Sequence, residues 1–408
     1  MVLKSLPMVF VLAGLGLYTV LGGADLGAGF WQLAAARDPD GRQVREFAHR
    51  AMAPVWETNH VWLIFVLTVF WTSYPKAFGS ITSTLAVPLF IALLGIVARG
   101  AAYALRAGAS TPRELGRIDT IFALSSILVP FALGAAVGAV ATNRVPVGNA
   151  AGDLWSSWLN PTSIVIGVLA VATSAYLAAV FLAADAAHDR KQTLEREFRL
   201  RALGSGAIAG AIAICAIFIM NADDHALFHS LLSGRALPAV IISGLAGLAT
   251  LLLVYKRRYE PARYSASLAV AAIIAGWALS RWPTILPNLT VYQAAAGHDT
   301  LVCVVVAVLG GSVLLFPALA LLYRLTLAGR FRSGEIGALQ TQSFTHRAVN
   351  IRRLARAAVA CLIVGFGLLN IANAQWAHVV GVASLFGFVG LAFCAIVIPA
   401  LDGQTATR

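Results

Sequence analysis

The sequence predicts an all-α integral membrane protein that crosses the bilayer about eleven times, with its N-terminus outside and its C-terminus in the cytoplasm. Three observations carry that prediction. The 408 residues are 59% hydrophobic and only 12% charged, whereas soluble domains are roughly 45–50% apolar and about 25% charged. The apolar residues come in runs long enough to cross hydrocarbon. The basic residues collect in alternate loops.

The runs are 6–36, 61–74, 78–105, 118–141, 162–187, 202–220, 237–255, 264–280, 301–323, 354–372 and 376–401, each nearly free of charge. A spanning helix needs roughly 20 apolar residues, and most of the runs reach that length. The shortest, 61–74, grows to a full span if its helix begins near Ala51. Strand barrels require alternation with a period of two, which is absent. Lipid-exposed backbone must satisfy its own hydrogen bonds, so helices are what remains. The first run is too long for a signal-peptide core and lacks a cleavage pattern, so it is expected to persist as the first span.

Net charge is +12, which in a soluble chain would raise nucleic acid as a partner. Its distribution excludes that. Arg37 to Arg50, Arg106 to Arg117, Arg190 to Arg201, Lys256 to Arg263, Arg324 to Arg356 and Arg408 place 24 of the 30 basic residues on one side. Lys4, Lys76, Arg144, Arg235 and Arg281 fall on the other, and Arg99 lies within a run. Cytoplasmic loops carry such an excess. The positive charge is topology.

The glycine pairs Gly23/Gly27, Gly134/Gly138 and Gly206/Gly210 have the small-xxx-small spacing that lets helices approach closely. Gly14-Leu15-Gly16 lacks the third glycine and preceding strand of a dinucleotide fingerprint. Cys215, Cys303, Cys361 and Cys394 stand one per run with no CxxC or CxxCH pattern, so buried structural cysteine is expected. Gly23-Ala24-Asp25 in the first run and Ala183-Ala184-Asp185 in the fifth hint at an internal repeat.

Polar residues inside the runs carry the chemistry. Asp25 is twelve residues before Arg37, about 18 Å from the cytoplasmic boundary at the helical rise. Arg99 is seven residues before Arg106, about 10 Å inside. Glu57 and His60, near the start of the second helix, share one face by their i, i+3 spacing. Each such charge costs roughly 2.5–3.5 kcal/mol on insertion scales, so Asp25, Glu57 and Arg99 unpaired would cost on the order of 8–10 kcal/mol, comparable to the stability of a whole domain. They must pair, neutralise or line a wet cavity. Two readings stay open: an interhelical salt bridge, or a water-filled half-channel admitting protons from the cytoplasm. His60 as a heme ligand is the less favoured reading, because no second axial ligand stands at matching depth. His298 with Asp299, and Asp223, Asp224 with His225, read as solvated loop charges rather than a metal site. Trp155, Trp158, Trp282 and Trp376 read as an interfacial belt.

Gly23-Ala24-Asp25-Leu26-Gly27-Ala28-Gly29-Phe30-Trp31, Ala53-Pro54-Val55-Trp56-Glu57-Thr58-Asn59-His60-Val61-Trp62-Leu63 and Ala98-Arg99-Gly100 followed by Arg106 resemble subunit II of the cytochrome bd quinol oxidase family. So do Leu159-Asn160-Pro161 and the stretch from Trp282-Pro283 through Pro287, Leu289 and Thr290. The resemblance covers roughly 6–327 and is strongest over 20–106.

It implies two four-helix bundles plus a ninth helix, here with an extra C-terminal helical hairpin. The expected divisions are 1–141, 142–283, 284–330 and 331–408, the last holding the basic loop and the hairpin. It also implies a bacterial or archaeal cell membrane and a heme-bearing subunit I as partner. That subunit would hold b-type and d-type hemes and the quinol site, while this chain, heme-free, would support assembly and form part of a cytoplasmic proton path for reduction of oxygen to water. Glu57 stands where the family has an acid linked to that path, and Asp25 and Arg99 match the polar residues of the first and third helices. His60 joins this set, and Trp56, Asn59 and Trp62 are expected to fix the second helix against the partner. No catalytic residue, metal or cofactor is expected in the chain itself, and its other contacts are with membrane lipid. Gly22 stands where many members have a second acid, and Gln293 where some have one. The hairpin 354–401 lies beyond the nine-helix pattern and is assigned to lipid or partner contact. Competing readings are a proton-coupled secondary transporter, which would show broken helices meeting at mid-bilayer, and a purely structural membrane partner.

Overall fold

A computed structural model describes residues 1–35, 41–52, 56–106, 111–327, 348–371 and 374–402. The described elements are helices apart from one small hairpin, with a long loop at 142–160, as expected of an all-α membrane protein. Eight helices are long and apolar enough to span a bilayer, and two shorter apolar helices, Asn59–Ser73 and Trp376–Ala392, accompany them.

The first run is one continuous rod with a defect. Helix α1 (Val2–Leu17) passes through a π-helical turn at Tyr18–Gly22 into α2 (Gly23–Ala34). An amphipathic helix α3 (Gly41–Met52) and α4 (Trp56–Ser73) follow, and the residues between them, on which the expected start near Ala51 bears, lie outside the described residues. The run 78–105 is divided into α5 (Pro75–Thr84) and α6 (Ala86–Arg106). Pro88 accounts for the division, since its ring excludes the carbonyl four residues earlier, that of Thr84.

Helix α7 (Pro112–Ala141) starts on a capping box in which Thr111 and Glu114 bond each other's backbone N–H. Helix α8 (Pro161–His188) starts on Asn160, whose Oδ1 accepts from the Ser163 N–H at 2.9 Å, with Pro161 in the first position. The Leu159-Asn160-Pro161 signature is therefore a helix start. Helices α9 (Gln192–Asp223), α10 (His225–Leu232), α11 (Leu237–Tyr255) and α12 (Tyr259–Arg281) follow. The Trp282–Thr290 stretch then folds as an antiparallel pair, β1 (Thr284–Leu286) and β2 (Leu289–Thr290), before the short α13 (Val291–Ala294) and α14 (His298–Leu327).

Residues Met1–Val313 form one compact unit. Its largest core is built from small side chains: Ala24 and Ala28 of α2 pack on Ala178, Ala179, Leu182 and Ala183 of α8, with Ala202 of α9 and Ala262 and Ala266 of α12. The close approach is decided at Gly27, where a Cβ would collide with the Ser174 backbone carbonyl. Gly134 and Gly138 on α7 likewise face Gly167 and Ser163 of α8, and Gly206 faces Tyr176, whereas Gly210 has open space beside it. Outward positions are large and apolar, for example Leu245, Leu248 and Leu252 on α11. That is the surface a lipid environment selects.

Residues Leu314–Arg408 form a second unit. In it α15 (Ala348–Ile371) and α16 (Gln375–Asp402) make the expected hairpin. They cross closely at Gly365, where a Cβ would stand 3.0 Å from the Gly381 carbonyl.

Two expectations are corrected. Cys215, Cys303 and Cys394 are exposed rather than buried, and Cys361 is partly exposed, its sulfur facing Gly387 of α16. Trp158 is 6% exposed, packed with Tyr74, Leu85 and Val145, rather than belonging to a surface belt. Its indole N–H donates to the Leu154 carbonyl at 3.0 Å. Trp155 and Trp376 do face outward.

Candidate functional site

The ionisable residues of the first and third runs meet inside the bundle. The Arg99 Nη2 of α6 donates to Asp25 Oδ1 at 2.7 Å and to the Asp25 backbone carbonyl at 3.0 Å. The pair is buried, Arg99 2% and Asp25 0% exposed. Arg99 Nη1 donates to the Ser126 hydroxyl of α7, which in turn donates to the Phe122 carbonyl. The guanidinium carbon lies 4.0 Å above the Phe122 ring. One cation thus joins α2, α6 and α7. The depths estimated from rise alone differ by several ångströms, and the length of the arginine side chain closes the gap.

The other polar atoms around the pair are less fully engaged. Asp25 Oδ2, Arg99 Nε and the Tyr18 hydroxyl are buried without a hydrogen-bond partner among the described residues. Tyr18 opens the π turn that runs directly into the Asp25 helix. Its ring meets His60 edge-on, with centroids 6.2 Å apart. Asn59, 2% exposed, donates its side-chain N–H to the Leu21 carbonyl at 3.2 Å. Leu21 lies in the π turn, where the i→i+4 ladder is interrupted, so the asparagine serves a carbonyl of that irregular turn. Trp62 is half-buried, edge-on to Phe65 at 6.2 Å. Trp56 and Glu57 occupy the first turn of α4, and their side chains lie outside the described residues.

A second layer stands on the side of the basic loops. His49 of α3 packs between Tyr103 and Phe122, with centroids 5.6 and 6.3 Å away. Burial, then the charges of Arg106 and Arg99, lower its pKa to about 4, which holds it neutral. Arg106 forms an ion pair with Asp119. The Phe122 ring therefore neighbours both the neutral imidazole and the buried arginine.

The family model described as cytochrome bd terminal oxidase subunit II matches residues 3–326. The chain belongs to that family. It is 20% identical over 219 residues to a Bacillus subtilis (strain 168) protein assigned by name to cytochrome bd menaquinol oxidase as subunit II. That match takes in 53% of this chain and 62% of the relative, so it spans under two thirds of the relative's length. The bd oxidase structure from Geobacillus thermodenitrificans contains a chain that superposes with a TM-score of 0.64 at 25% identity. The match covers 80% of this chain and 99% of that one.

Gly22 and Gln293, the positions where the resemblance implies an acid in other members, each have a structural role in this chain. A Cβ on Gly22 would stand 2.9 Å from the Tyr18 ring, so the tyrosine fills the space a side chain at that position would take. Gln293 closes a capping box at α13, its Oε1 accepting from the Thr290 N–H at 2.9 Å. The repeat hinted at by Asp25 and Asp185 is only partial. Asp185 of α8 pairs with Arg263 of α12, which also reaches the Phe181 carbonyl at 2.8 Å, so the two acids recruit arginines from non-corresponding helices.

Sequence reasoning missed Tyr18, Ser126 and Gly29. Ser125-Ser126 is a polar pair within an apolar run and was a usable signal. Nothing local marks Tyr18, because its role depends on the π turn.

Among the remaining charged candidates, Asp223 accepts from Arg144 at 2.8 Å and from the Thr162 hydroxyl at 2.6 Å. Asp224 caps α10 through the Leu227 N–H at 3.0 Å. His298 and Asp299 are fully exposed neighbours.

Proposed function

We propose that this chain is the heme-free subunit II of a bd-type quinol:oxygen oxidoreductase in a bacterial or archaeal cell membrane. Its partner is a subunit I that carries b-type and d-type hemes and oxidises quinol while reducing oxygen to water. With the basic loops in the cytoplasm, the Asp25–Arg99 cluster lies in the inner half of the membrane, on the path by which protons reach the oxygen site. Glu57 and His60 form its cytoplasmic end, and Asp25 its interior end. Arg99 holds Asp25 in place, Asn59 fixes α4 to the π turn of the same chain, and Trp56 and Trp62 set α4 against the partner.

One observation carries this reading: Asp25 Oδ2, Arg99 Nε and the Tyr18 hydroxyl are all buried with bonding capacity unused among the described residues. Buried polar atoms are nearly always satisfied by protein or ordered water, and a buried water needs two to four polar partners. The cluster supplies such partners, which supports a short hydrated chain at this point.

A second reading is favoured by a different fact. Asp25 and Arg99 neutralise each other at 2.7 Å with almost no exposure, which alone would suit an assembly element joining three helices. Glu57→Gln and Asp25→Asn in the assembled oxidase separate the two. The proton-path reading expects slowed oxygen consumption with unchanged heme spectra. Loss of heme or of the co-purifying subunit in both variants would assign the cluster to assembly alone.

A further inference from the structure

The corner between α9 and α10 carries two histidines that the buried cluster does not use. His225 and His229 stand one turn apart on α10, with their Nε2 atoms 3.0 Å from each other. Their rings are perpendicular, with centroids 4.4 Å apart, and both are exposed. The His225 Nδ1 lies 2.9 Å from Asn221 Oδ1. An amide oxygen only accepts, so Nδ1–H donates and the Nε2 of the neutral ring presents a lone pair. Phe228 stacks on the same ring at 5.9 Å with planes 13° apart, so the ring is oriented by two neighbours.

We propose that His225 and His229 form a two-imidazole chelate for a divalent transition-metal cation of the copper, nickel and zinc class. Metal–imidazole bonds run about 2.0–2.1 Å, so two nitrogens 3.0 Å apart subtend about 94° at a shared cation. That is the cis angle of a tetragonal or octahedral site, which favours Cu²⁺ and Ni²⁺ over tetrahedral Zn²⁺. Asn221 has the part of the outer hydrogen-bond partner that fixes the tautomer of a ligating histidine. Among the described residues no three His, Cys, Asp or Glu side chains converge. The two imidazoles are therefore the site's His, Cys, Asp and Glu donors among the described residues, with water in the remaining positions. The plain alternative is a single N–H···N bond between the rings, which has the same geometry without a cation.

The test uses the full chain, extracted with the subunits that co-purify and carrying no oligohistidine tag. It is titrated with Cu²⁺ alone and followed by electron paramagnetic resonance. The expected result is one Cu²⁺ per chain with coupling to two nitrogens. His225→Asn and His229→Gln should each weaken binding by well over tenfold, and Asn221→Ala by about tenfold, while His298→Gln leaves it unchanged. Unaltered metal-free melting temperatures show that the variants fold. Binding without nitrogen coupling, or equal affinity in the parent and both histidine variants, marks an adventitious ion only and overturns the proposal.

Discussion

Gly29 and Ser126 are complementary: the absent side chain of one is the space occupied by the hydroxyl of the other, which holds Arg99. A Cβ on Gly29 would stand 3.0 Å from Arg99 Nη1 and would collide with the Ser126 hydroxyl that receives its hydrogen bond. The third glycine of Gly23-Ala24-Asp25-Leu26-Gly27-Ala28-Gly29 is therefore part of the charged cluster, one turn beyond Asp25.

Gly29→Ala should displace Ser126 and the guanidinium together. Overpacking of a filled interior costs about 1–3 kcal/mol. The expected outcome is a lower melting temperature of the purified protein. A variant that melts with the parent would show that α2 and α7 can separate there at little cost.

The Asp25–Arg99 pair should respond non-additively. Removing one partner leaves a buried uncompensated charge, at about 3–5 kcal/mol, whereas replacing both with apolar groups is often nearly neutral. Asp25→Leu and Arg99→Met should each destabilise strongly, and the double variant should recover much of the loss. Additive losses, measured in a thermal double-mutant cycle, would mean that the two side chains act independently.

Asn59→Ala removes the donor that serves the Leu21 carbonyl in the π turn. A buried acceptor left unsatisfied costs about 1–3 kcal/mol. Thermal unfolding should show that loss, and Asn59→Gln, too long for the same geometry, should recover little of it.

His49 predicts a pH dependence. Its folded pKa of about 4 lies below the unfolded value of about 6.5. Across that window the unfolded chain binds more protons than the folded one, so stability rises with pH. The contribution of this residue is therefore complete above about 6.5 and is lost as pH falls toward 4. Melting temperatures of the parent and of His49→Gln, compared between those limits, should converge at the acid end. Parallel curves would show that the imidazole is not held neutral by its packing.

Each membrane helix is first a bargain between its own side chains and its surroundings, and the sequence by itself determined that much. Hydrophobic runs and alternating loop charge identified the spanning elements, the C-terminal hairpin and the fact that Asp25 and Arg99 could not stand alone. Where a helix bends was less legible: the break before α6 follows from Pro88, while the π turn before Asp25 has no local signature. Which partner each charge takes was decided only by tertiary structure. Asp25 draws Arg99 from α6, which in turn bonds Ser126 of α7, while the similar Asp185 draws Arg263 from α12. Such pairing depends on how far each helix is rotated and how closely its glycines let it approach. Those are properties of packed neighbours distant in sequence, which composition and periodicity along one segment do not encode.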